Sequence, residues 1–172
     1  MALDVQIKGA NKLREMAIQL RLADKQVLGR ELNKAIKDAA TPTLKDIRDS
    51  AESLKTTGVR KPGAKHPFTK VMPPKGLRHK VAESVEAQVS VFAENPRVRF
   101  RTGKGLPPEL ANMPRNLDSP GTFRHPVMGN REVWVSQRGD PWFWKPIERN
   151  LGTFRGEIDK ALDRTREFLE RG

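Results

Sequence analysis

An α+β fold is what three patterns in the sequence predict. Apolar and polar residues alternate near the N-terminus and again between Val85 and Arg101, the period of a half-buried strand. Between these stretches, and again at the C-terminal end, apolar residues recur at helical spacing. Two long stretches rich in proline and glycine follow neither period. The expected architecture is a small antiparallel sheet packed against a long kinked N-terminal helix and a C-terminal helix, with long basic loops. At 172 residues, one domain spanning 1–172 is expected.

The first strand is predicted over Leu3 to Lys8, where Leu3, Val5 and Ile7 alternate with Asp4, Gln6 and Lys8 and Gly9 ends the run. A short helix follows on Leu13, Met16, Ala17 and Leu20, with Asn11 as its expected N-cap. Asp24 is the expected cap of a longer helix whose stripe is Val27, Leu28, Leu32, Ala35, Ile36 and Ala39. Proline lacks the backbone donor and crowds the preceding turn, so Thr41-Pro42-Thr43 predicts a kink or a break. Beyond it the stripe resumes through Leu44, Ile47, Ala51 and Leu54.

Lys55 to Lys80 carries eight Lys or Arg, no Asp or Glu, four prolines and three glycines. Residues 55–75 are expected as an extended basic loop or arm, either solvated or ordering on a partner. A helical turn after Gly76 leads into a β-hairpin, in which Val85, Ala87, Val89 and Val91 alternate with polar residues. After the turn signal Asn95-Pro96, Val98 and Phe100 alternate with Arg97, Arg99 and Arg101. Residues 103–122, with Pro107, Pro108, Pro114 and Pro120, are expected to be an irregular loop. Glu132 to Val135 reads as a strand. The last helix is expected to begin near Pro146 or Thr153, with Phe154, Ile158, Ala161, Leu162, Thr165, Phe168 and Leu169 as its stripe.

Composition narrows the function. The chain carries 33 basic and 21 acidic residues, a net charge of +12. Its pI is near 10.4 and its mean hydropathy −0.67. No apolar run approaches the roughly 18 residues of a membrane span, so an integral membrane protein is not expected. The start, MALDVQIKG, lacks the apolar core of a secretory signal. With no cysteine there is no disulfide scaffold, thiolate metal site or cysteine nucleophile. His66, His79 and His125 follow no metal-ligand spacing, and neither GxSxG nor a phosphate loop occurs. No catalysis, metal or cofactor is therefore expected. The excess charge points to an acidic partner: nucleic acid, an acidic protein surface or a lipid head-group layer.

Two groups of residues are candidate sites. Arg97, Arg99 and Arg101 are either the wet face of a strand or a guanidinium stripe facing phosphates, at about 6.6 Å between alternate residues. Arg60, Lys61, Lys65 and Lys70 in the basic segment would serve the same acidic partner. Trp142, Phe143 and Trp144 lie between Pro141 and Pro146, as core anchors under the last helix or as a subunit contact. In an extended segment Trp142 and Trp144 would share one face and Phe143 the other.

The order of elements and several local motifs resemble the neck or tail-completion proteins of long-tailed, double-stranded DNA bacteriophages, which belong to the head-to-tail connector and are often described as minor tail proteins. Val5-Gln6-Ile7-Lys8-Gly9 is similar to the opening xVxIxG strand, with Leu13 to Leu22 and Asp24 to Leu54 as the two helices that follow. Gly76-Leu77-Arg78-His79-Lys80-Val81-Ala82-Glu83-Ser84-Val85 resembles a GxLrxsi segment entering a strand. Pro141-Trp142-Phe143-Trp144-Lys145-Pro146-Ile147-Glu148 resembles the hPFlrPAle motif that opens the C-terminal helix. Pro120 to Pro126 matches the family's vEfGT strand only in part, and the stretches Lys55 to Lys75 and Gly103 to Asp118 are longer than the family pattern.

The resemblance implies an α+β fold and a structural, non-enzymatic role in the virion neck or tail, assembled in the host cytoplasm. It also implies a homo-oligomeric ring (a hexamer is one candidate), neighbouring connector and tail proteins as partners, non-specific contact with packaged DNA, and no membrane. The alternative expectation is a free basic nucleic-acid-binding protein. The +12 charge supports it, but no helix-turn-helix, zinc-ligand or RNA-stacking pattern accompanies that charge.

Overall fold

A computed structural model describes residues 3–7, 10–22, 26–55, 76–93, 97–127 and 130–171. The fold is α+β. Among the described residues, in chain order, are β1 (Asp4–Ile7), α1 (Ala10–Leu22), α2 (Gln26–Ser53), α3 (Gly76–Glu83), β2 (Glu86–Ser90) and β3 (Arg97–Arg101). A 3-10 turn (Pro108–Leu110), α4 (Met113–Asp118), β4 (Gly121–Val127), β5 (Asn130–Gly139) and α5 (Trp144–Arg171) follow. The strands form two antiparallel sheets rather than the single sheet expected, one in the order β1-β3-β2 and the other the ribbon β4-β5.

The chain divides into two compact units. The first unit holds Met1–Leu3, Ile47–Val85 and Thr102–Pro146; the second holds Asp4–Asp46, Glu86–Arg101 and Ile147–Gly172.

The second unit contains the three-stranded sheet. Phe100 pairs with Val5 on one side and Ala87 on the other, and Val98 with Ile7 and Val89, so the apolar alternation falls in register across the sheet. Phe100 and Val98 are buried, and Phe154 of α5 meets Phe100 edge-on with ring centroids 5.9 Å apart. Leu13, Met16, Ala17 and Leu20 of α1 are all buried, as their spacing predicts, though α1 begins at Ala10 rather than after a cap at Asn11. The expected cap Asp24 lies outside the described residues.

Two stripes shift from expectation. On α2 the buried positions include Leu32, Ile36, Ala40, Thr43, Ile47 and Ala51, while Ala35 and Ala39 are half-buried and Val27 is 63% exposed. On α5, Phe154, Ala161, Leu162 and Thr165 are buried but Phe168 is 60% exposed. Both outliers sit near a helix end. Asp46 ties α2 to α5, accepting from Arg149 and from Asn150 at 2.9 Å each. Lys12 of α1 reaches Asp159 of α5 at 3.3 Å.

Pro42 does not break α2, which runs unbroken from Gln26 to Ser53. An interior proline costs about 3 kcal/mol in an isolated helix. Here the ring is exposed, and apolar positions on both sides of it are buried: Ile36 and Ala40 before, Ile47 and Ala51 after. Burial of both flanks offsets the missing hydrogen bond. Thr41 bonds back to the Lys37 carbonyl at 3.1 Å within the same turn.

The first unit gathers the end of α2, α3, α4 and the ribbon. Ile47, Ala51, Leu54, Val81, Ala82 and Val85 are buried. Arg48 donates to the Val85 carbonyl at 2.8 Å, and Arg78 to the Leu54 carbonyl at 2.6 Å. His79 of α3 lies 2.7 Å from Glu52 through Nδ1 and 3.3 Å from Glu83 through Nε2. Residues 103–122 are not an irregular loop. They hold the 3-10 turn, α4 with Pro114, Leu117 and Asp118 buried, and the start of β4. The strand expected at Glu132 to Val135 is the middle of a ten-residue strand, and β4, which periodicity does not predict, falls on the partial vEfGT match.

Candidate subunit and nucleic-acid interfaces

The proline-aromatic segment is a turn, not an extended strand. Trp142 and Phe143 are both buried, with ring centroids 5.6 Å apart and planes at 75°. Trp144 opens α5 and is 42% exposed, with Phe143 edge-on to it at 6.2 Å. The expected sharing of a face by Trp142 and Trp144 is therefore corrected: a turn at residues 142 and 143 rotates successive side chains, so neighbours 142 and 143 enter the same core. Pro146 falls in the first turn of α5, where its missing N–H removes no helical bond.

Asp118 holds this turn. Its buried carboxylate accepts the Phe143 N–H at 2.8 Å, and the N–H groups of Trp144 and Trp142 also point to it. It occupies the place of a helix cap, supplied by another helix instead of by the residue before α5. Burial pushes its carboxyl above the usual aspartate range, and the N–H donors oppose that rise without cancelling it. Trp142 Nε1 donates to the Pro114 carbonyl at 3.3 Å. Gly139 completes the arrangement: a Cβ there would stand 2.2 Å from the Ser119 carbonyl oxygen, with those of Asn116 and Leu117 close behind. Asp140 N–H then bonds the Leu117 carbonyl at 2.9 Å.

Arg97, Arg99 and Arg101 lie on one face of β3, as the alternation predicts, and all three are half-buried. Two are neutralised within the sheet. Arg99 pairs with Asp4 of β1, and Arg101 with Glu86 of β2 at 2.7 Å. Gln88 donates to the same Glu86 at 2.7 Å. Such pairs bind the three strands across their polar face and reduce the charge left for phosphates. Arg60, Lys61, Lys65 and Lys70 lie outside the described residues, as does the rest of the expected arm beyond Lys55.

The ribbon has one half-buried face and one exposed face. Phe123, His125, Val135 and Gln137 share the first; His125 Nε2 lies 3.2 Å from Gln137 Oε1, and the Phe123 and His125 rings are 5.6 Å apart. Thr122, Arg124, Trp134, Ser136 and Arg138 share the other, where Trp134 is 52% exposed. Arg124, Arg138 and Asp118 were not singled out by sequence. The Thr122–His125 alternation is a usable signal for Arg124, but no local pattern marks Asp118. Among the described residues no group of three His, Asp or Glu could hold a metal ion, and no helix is long and apolar enough to cross a membrane. Compared with protein-family models, curated proteins and solved structures, the chain matches none.

Proposed function

We propose that the chain is a non-enzymatic structural protein of the phage neck, joining or completing the tail at the head-to-tail connector. In this reading it acts as a subunit of a homo-oligomeric ring through whose lumen DNA passes, located in the virion and assembled in the host cytoplasm. The observation that supports it best is where the family-like motifs fall. Val5 to Ile7 lies in β1, Gly76 opens α3 directly before β2, and Pro141 to Pro146 turns the chain into α5. In the resembling family these segments have the same places. Trp144, large and exposed beside a buried anchor, suits a contact with a neighbouring subunit. Arg97 and the basic stretch 55–75 suit a DNA-filled lumen, where cations lower the cost of holding a polyanion without reading bases.

The test is particle composition and assembly state. Purified virions should contain the chain in a fixed copy number, and loss of its gene should leave unjoined heads and tails. A chain absent from particles and monomeric at every concentration overturns the reading. The +12 charge favours a second reading, a free basic nucleic-acid-binding protein. That protein would bind duplex DNA as a monomer with a steep salt dependence and leave particle assembly intact when deleted.

A further inference from the structure

The outer face of the β4–β5 ribbon differs from the β3 stripe in the state of its arginines. Thr122 stands opposite Arg138, and Arg124 opposite Ser136. Arg124 and Arg138 are thus diagonal neighbours, about 7–8 Å apart at their backbones. Both are exposed, and neither guanidinium has a hydrogen-bond or ion-pair partner among the described residues. Glu132, farther along β5, has an interaction of its own. The ribbon's other face is anchored, with Gln137 buried and Gly139 pressed against the carbonyls at the end of α4. The outward side chains therefore stand on a supported platform rather than on a free hairpin.

We propose that this face docks on the sugar-phosphate backbone of duplex DNA. Charge selects the partner: the unit that carries the ribbon has 15 basic residues against 7 acidic. Composition separates it from a protein-binding patch. A protein interface is built on an apolar centre, whereas this face has one aromatic, Trp134, among four hydrogen-bonding side chains. Arginine and threonine side chains are usual donors to phosphate oxygens, whereas Ser136 has an interaction of its own. A two-stranded ribbon also fits the major groove, about 12 Å wide. In the docked state Arg124 and Arg138 displace counterions from two phosphates, and the Trp134 ring covers a deoxyribose edge. The proposal deepens the neck reading by naming the surface that meets the DNA, and rests on that reading for the presence of the DNA.

Binding of the full chain to a fluorescent 30-base-pair duplex, followed by anisotropy over a series of salt concentrations, tests it. Arg124→Gln/Arg138→Gln should weaken binding and flatten the slope of log affinity against log salt by about two. Arg124→Lys/Arg138→Lys, which keeps the charge, should restore the slope. An equal loss of charge on α5, Arg155→Gln/Arg164→Gln, should leave most of the binding in place. Trp134→Ala should weaken binding without changing the slope. Melting curves confirm that the surface variants stay folded.

The proposal is overturned if the parent does not bind duplex DNA, or if the ribbon and α5 doubles lose binding equally. It is also overturned if ribbon-dependent binding is confined to single strands, or if polyglutamate competes as well as DNA, which would indicate an acidic protein partner. Mass photometry on the same samples keeps the two readings apart. Assembled rings whose DNA binding ignores the ribbon overturn the docking face alone. A permanent monomer that binds through the ribbon overturns the neck reading alone.

Discussion

Asp118 and Asp46 are both aspartates that accept hydrogen bonds near the start of α5, yet their carboxyls shift in opposite directions. Asp118, in the first unit, is buried and receives backbone N–H groups; desolvation dominates and raises its pKa. Asp46, in the second, is partly exposed; the Asn150 amide and then the Arg149 guanidinium favour its charged form and lower its pKa. The first unit thus spends a buried charge to fix one turn of backbone, while the second strings surface pairs between helices. The difference teaches what each carboxylate depends on: Asp118 on the backbone donors of one buried turn, Asp46 on two surface side chains.

The largest expected effect tests that anchor. Phe143→Ala or Trp142→Ala should cost about 3–5 kcal/mol, a large share of the roughly 5–15 kcal/mol a domain holds, and lower the thermal midpoint sharply. Trp144→Ala should leave the melt nearly unchanged and impair assembly instead. Equal losses of stability at Phe143 and Trp144 would break the division between buried anchor and exposed contact. Gly139→Ala should follow, at about 1–3 kcal/mol, because its Cβ meets backbone oxygens that cannot rotate away.

Asp118→Ala should cost about 1–3 kcal/mol by leaving buried N–H groups unpaired, and Asp118→Asn less, since an amide oxygen still accepts. The pH response sharpens the contrast. Asp118 has a raised folded pKa, so its contribution to stability is fully present below the ordinary value of 3.8 and is lost as pH rises through the folded value. Asp46 has a depressed one, so its contribution is present above 3.8 and is lost as pH falls through the folded value. Denaturant melts across the acid range should therefore show Asp118→Asn and Asp46→Asn changing the pH profile with opposite slopes. The smallest effect belongs to Arg99→Ala, expected at or below about 1 kcal/mol because its pair with Asp4 is partly solvated.

The elements most legible in the sequence were those whose burial repeats. Leu13, Met16, Ala17 and Leu20, and Val98 with Phe100, announce their faces because each apolar residue is followed at the proper period by another. Residues 103–122 hid α4 because a six-residue helix spans too few turns to show a period, and prolines at 107, 108 and 114 resemble loop punctuation. β4 was hidden for a related reason: Phe123 and His125 face inward, and histidine does not register as apolar. The pairing of Arg99 with Asp4 joins residues 95 apart in sequence, and no local pattern carries that information. The same holds for the Asp118 cap, whose helix begins on the far side of the ribbon.

That cap has a kinetic consequence. Asp118 and Phe143 are 25 residues apart, and nearly all the intervening chain is the β4–β5 hairpin. Loop-closure entropy grows only slowly with length, and hairpins form in microseconds, so this circuit can close before more distant strands such as β1 and β3 find each other. The start of α5 is then seeded by a completed hairpin. Mutations at Phe143 and Gly139 should slow folding more than they speed unfolding, whereas Val98→Ala in β3 should mainly speed unfolding.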